Sequence, residues 1–153
     1  MNSIEFTEQF LLKEVEAIEA ANVRLHLLSA IVHGIETAGA LLDDKPFKAK
    51  GQGNKRFGLA LKTLFPARYS ETNSKVNLYN FLRSHMAHSM LPAKQILLTN
   101  ESKMHLEQLD SQLGIHLLTL QTDYLKAMSK LIELIESNQV KTKRIAFDNL
   151  EHL

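Results

Sequence analysis

Arg83 and His88 stand five residues apart in the segment Leu78-Tyr-Asn-Phe-Leu-Arg-Ser-His-Met-Ala-His-Ser-Met-Leu-Pro92, and together they suit one kind of chemistry. A guanidinium holds a phosphate through paired N–H bonds, and an imidazole moves a proton near neutral pH. Such a pair can cleave a phosphodiester without a metal, provided a neighbouring hydroxyl attacks. If the segment is a helix, turning about 100° per residue, then Tyr79, Leu82, Met86 and Met90 fix the inward direction. Arg83 then falls to one side and His88 to the other, with Asn80, Ser84 and Ala87 between them. That central face is small and polar, so a second copy could approach it closely. His85 falls on the opposite flank, nearer the core, where its replacement should mainly affect stability. The competing reading is an exposed helix face that carries one arginine and one histidine by chance.

Other chemistries have thinner support. Seven histidines are present, with His26 and His33 seven apart and His85 and His88 three apart. Combined with Glu16 or Glu36 these pairs could bind a metal in a four-helix site. Yet no Glu-x-x-His or His-Glu-x-x-His occurs, and no carboxylate lies near the central pair. No metal or other cofactor is therefore expected, and His26 and His33 read as core-edge side chains bonded to nearby carbonyls. His105, His116 and His152 belong to no visible constellation. The absence of cysteine excludes disulfides, thiolate metal sites and a cysteine nucleophile. Neither a Gly-Lys-Ser/Thr phosphate loop nor a Gly-x-Ser-x-Gly elbow is present.

The net charge of +1 hides a strong asymmetry. Residues 45–94 carry ten basic side chains against the single Glu71. A polyanion such as RNA is one reason to build such a block; internal neutralisation by acidic flanking helices is the other. Lys48, Lys50, Lys55 and Arg56 crowd a Gly51-Gln-Gly-Asn loop and are the candidate phosphate contacts.

The elements that must position these groups read as helices. Apolar residues recur from Ile4 through Leu11, Ile18, Leu25 and Val32, which predicts one helix from Ile4 to about Ala38 with Ser3 as its cap. A short helix from Arg56 should stop at Pro66, and Ser74 should cap the helix that carries Arg83. Residues 95–109 read as a β-hairpin, with a continuous helix as the rival. Asp110 should cap a last helix whose stripe runs Leu113, Leu117, Leu120, Tyr124, Met128, Leu131 and Ile135. The expected fold is mainly α, a bundle of four to five helices over 1–137 with a polar tail at 138–153. The apolar runs look too short for a bilayer span and the N-terminus lacks a signal pattern, so a cytoplasmic protein is expected.

Arg83-x(4)-His88 in this helical setting resembles the Arg-x(4–6)-His motif of HEPN domains. Leu78 to Leu82, Ser89 to Pro92 and the upstream Asn54-Lys-Arg-Phe57 helix resemble the surroundings of that motif in bacterial branches. The resemblance implies a helical homodimer in which two motifs meet to form a metal-independent endoribonuclease site. It also implies that Arg83 polarises the scissile phosphate and that His88 activates the 2′-hydroxyl or protonates the leaving oxygen. The position after the arginine, here Ser84, is typically a longer polar residue. Many members are toxins paired with a nucleotidyltransferase antitoxin, and some are inactive interaction modules. A histidine-rich metal-binding bundle is the remaining alternative.

Overall fold

The computed structural model describes residues 1–146. The first helical stretch, α1, runs through Ser3–Phe6, a π-helical segment Thr7–Lys13, and Glu14–Ala20. Asn2, not Ser3, caps it. The Asn2 Oδ1 accepts from the amides of Ile4 and Glu5 while Glu5 Oε2 accepts from the Asn2 amide, a reciprocal capping box. Ser3 is instead buried, its hydroxyl bonded to the backbone of Lys143.

The single long helix expected over 4–38 is two helices. Asn22 adopts φ +55°, which breaks the chain between α1 and α2, Arg24–Leu42. The apolar spacing of the sequence runs across this break, so periodicity alone could not reveal it, and Leu25, counted in the expected stripe, is exposed just beyond it. By length and composition α2 could cross a membrane, but 56% of its apolar window is buried inside the bundle, as in a core helix. It packs against α3, Gly53–Leu64. Gly39 makes that contact close: a methyl group there would collide with the backbone carbonyl of Arg56. Helix α3 stops before Pro66, as expected.

Helix α4, Ala67–Val76, contains Ser74 in its interior. The true break is Asn77, left-handed at φ +52°, whose Oδ1 accepts from the Asn80 amide at the start of α5. Helix α5 comprises a π-helical segment, Tyr79–Ser84, followed by His85–Ser89. Leu82 and Met86 are its buried side chains, and Leu78 immediately before it is buried too. Met90, expected in the core, is left-handed, ends the helix and stands exposed.

The expected hairpin is a three-stranded sheet of different topology. Strand β1, Ile96–Thr99, pairs in parallel with β3, Gln112–His116, while β2, Gln108–Leu109, pairs antiparallel with β3. Asp110 sits in the β2–β3 turn at φ +50° rather than capping a helix, and Leu113 is a strand residue. The last helix, α6, spans Leu117–Glu136 under a cap from the His116 side chain. Its buried stripe of Leu120, Tyr124, Met128, Leu131 and Ile135 follows the sequence pattern and faces α2 and α3. The architecture is a mainly α bundle with a small β element.

The start of the polar tail is tied to the bundle. Ile145 is buried and its amide donates to the Met1 carbonyl, while Lys143 Nζ donates to Asp43 Oδ1 and to the carbonyls of Ala40 and Lys45. His152 lies outside the described residues.

Candidate functional site

Arg83 belongs to the π-helical part of α5, a geometry often found where a side chain is placed for function. Its Nε faces Glu36 Oε2 on α2 in an ion pair, and both atoms are buried. The side chain as a whole retains 27% exposure, so the terminal N–H groups are the part of the guanidinium that reaches solvent. A guanidinium held by its inner edge presents the outer edge to an oxyanion with little conformational freedom left to lose.

Glu36 is a site residue that the sequence placed only in a hypothetical metal set. It lies far from Arg83 in the chain, and nothing local marks the pairing. The same carboxylate and the Tyr79 hydroxyl crowd Gly53, where any side chain would collide with the Tyr79 oxygen and press on Glu36 Oε1. Tyr79 is further fixed edge-on against Phe57, with ring centroids 5.6 Å apart. These contacts join Gly53 and Phe57 of α3 to the arginine-bearing helix.

His88 is exposed on the final turn of α5, with Asn80, Ala87 and Ser89 also exposed and Ser84 half-buried. Apart from the imidazole, none of these side chains is ionisable. His85, expected nearer the core, is exposed as well. Among the described residues no hydrogen bond joins Arg83 to His88, so any cooperation between them requires a substrate or a second copy.

The four candidate phosphate contacts divide. Lys48, Lys50 and Lys55 are exposed. Arg56 is buried and belongs to the fold: Nε donates to Asp43 Oδ2 at 2.7 Å, Nη1 to the Phe47 carbonyl at 2.8 Å and Nη2 to the Pro46 carbonyl at 2.9 Å. Burial alone would raise the Asp43 carboxyl, but hydrogen bonds and charge from Arg56 and Lys143 outweigh it and hold it below its ordinary value. The wider basic block divides the same way. Arg56, Arg68 and Arg83 pair with Asp43, Glu107 and Glu36, all outside the block. Lys48, Lys50, Lys55, Lys62, Lys75 and Lys94 are exposed and form no ion pair among the described residues.

Two histidines without a visible constellation in the sequence prove to be connected. The His116 amide donates to His105 Nδ1 at 3.1 Å, which places the His105 proton on Nε2. That Nε2–H donates to the Tyr69 oxygen at 2.8 Å, and the Tyr69 hydroxyl donates to Asp123 Oδ2 at 2.7 Å. Burial pushes His105 down to about 4, helped by the charges of Arg68 and His116 and opposed by Asp123. Burial and the Asp123 bond push the Tyr69 hydroxyl upward. His105 and Tyr69 are both enclosed, so this chain clamps α4, the β1–β2 connection, the end of β3 and α6 together.

His26 is exposed, and His33 Nδ1 bonds the Ser29 carbonyl at 2.8 Å. Among the described residues no group of three or more histidine, aspartate and glutamate side chains could hold a metal. No family model, curated protein or solved structure matches this chain.

Proposed function

We propose that this protein is a HEPN-type, metal-independent endoribonuclease that acts in the cytoplasm as a homodimer. The observation that carries the reading is the anchoring of Arg83. Its inner edge is ion-paired with Glu36 and its outer edge is exposed beside a helix face that bears no lysine, aspartate or glutamate. In this reading Arg83 neutralises the scissile phosphate and His88 transfers the proton between the 2′-hydroxyl and the leaving oxygen. Ser84 lies between them on the face where two copies would meet. Ala87 adds apolar area to that face, and Met90 and Leu91, just past the end of the helix, are exposed as well. Lys48, Lys50 and Lys55 supply a sequence-independent hold on the RNA backbone. A nucleotidyltransferase antitoxin is the partner class that fits the toxin branch of this reading.

Incubation of the wild type and of Arg83→Ala, His88→Ala and Glu36→Gln with RNA in EDTA tests it. The wild type should cut RNA and both alanine variants should be inactive while folded. An uncut RNA pool with the wild type, or full activity in both alanine variants, would overturn the reading.

A further inference from the structure

A cleft of about 450 Å³ opens where the end of α1, the start of α2, the end of β1 and the start of α6 converge. It involves neither Arg83 nor His88. Its apolar lining comes from Val23, Leu27, Leu117 and Leu118, and Leu118 is 60% exposed. A long exposed leucine beside a concave surface is costly to leave in water, and burial of such area is what a ligand provides.

The charges around the cleft have a definite arrangement. Glu19, in the last turn of α1, and Arg24, in the first turn of α2, both line it. Neither side chain forms an ion pair or hydrogen bond among the described residues, with each other or with anything else. The backbone reinforces both signs. Helix α1 ends here, so its negative pole adds to Glu19; α2 begins here without a side-chain cap, so its free amides add to Arg24. Thr99 and Asn100 contribute further polar groups from the end of β1.

We propose that this cleft binds a small zwitterion with an aliphatic side chain, an amino acid of the leucine type. Arg24 and the amino end of α2 receive the carboxylate. Glu19 and the carboxyl end of α1 receive the ammonium. The side chain lies against Leu27, Leu117 and Leu118. A simple anion would leave Glu19 opposed, and a simple cation would leave Arg24 opposed, so each is a poorer complement than a molecule bearing both charges. This inference does not rest on the nuclease reading.

The test is an NMR titration of the full-length wild type with leucine, isocaproate (no ammonium), isoamylamine (no carboxylate) and glycine (no side chain). Leucine should shift the amides of Val23, Arg24, Thr99 and Leu118, with each partial analogue binding on the order of tenfold or more weakly. Arg24→Gln should remove the preference for leucine over isoamylamine, and Glu19→Gln the preference over isocaproate. Both residues are exposed, so the fold should survive either change. The absence of shifts at millimolar leucine, or equal binding of leucine and any analogue, would overturn the proposal.

Discussion

Acidification should destabilise this protein through His105, and the size of the effect follows from its surroundings. In the unfolded chain His105 takes a proton at its ordinary value of 6.5, whereas in the fold it does so only at about 4. Between these values the unfolded state binds more protons, so stability falls as pH falls through that window and is fully present above it. At about 1.4 kcal/mol per pH unit, the contribution is on the order of 3 kcal/mol. Two causes act together. Burial disfavours the imidazolium, and a proton on Nδ1 would face the His116 amide that now donates to it. Urea unfolding of the wild type and of His105→Asn at a series of pH values measures the effect. Asparagine keeps an acceptor near the Nδ1 position but cannot titrate, so the variant should lose most of the slope between pH 6.5 and 4. An equal slope in both proteins would refute the reasoning.

Further outcomes follow from other contacts. Gly39→Ala should lower stability by about 2 kcal/mol or more, because its methyl group meets the Arg56 backbone carbonyl in the α2–α3 interface; a thermal melt within a degree of wild type would contradict it. Arg56→Ala should cost about 3 kcal/mol by leaving Asp43 and two loop carbonyls short of donors, whereas Lys48, Lys50 and Lys55→Gln should each shift stability by less than about 0.5 kcal/mol. The triple glutamine variant should weaken RNA binding and flatten its salt dependence. Tyr124→Phe should leave stability unchanged or raise it by about 1 kcal/mol, because the buried hydroxyl has no hydrogen-bond partner among the described residues; denaturant unfolding reads the sign.

The parts legible in the sequence are those set by local rules. Pro66 marks the end of α3, and the stripe from Leu120 to Ile135 marks α6. The breaks at Asn22 and Asn77 were hidden because a left-handed asparagine interrupts a helix without interrupting its apolar periodicity. The sheet is hidden in the sequence for a different reason. Pairing of β1 with β3 depends on a partner beyond the β2–β3 turn, which no short window contains. At the site, helix phase was enough to put Arg83 at the edge of an exposed face, but Glu36 and Gly53 reach it only through tertiary packing. Arg56 looked like its lysine neighbours because composition cannot distinguish a buried cation from a solvated one. The Asp43 carboxylate makes that distinction.

If Arg83 and His88 act as proposed, RNA is cleaved through its own 2′-hydroxyl. The direct measurement compares one RNA oligonucleotide with the same sequence 2′-O-methylated at the cut nucleotide, both in EDTA, with the product ends identified by mass. Cleavage of the unmodified strand to a 2′,3′-cyclic phosphate, with the methylated strand and the corresponding DNA left intact, is the predicted result. Equal cutting of the methylated strand or the DNA would contradict the account.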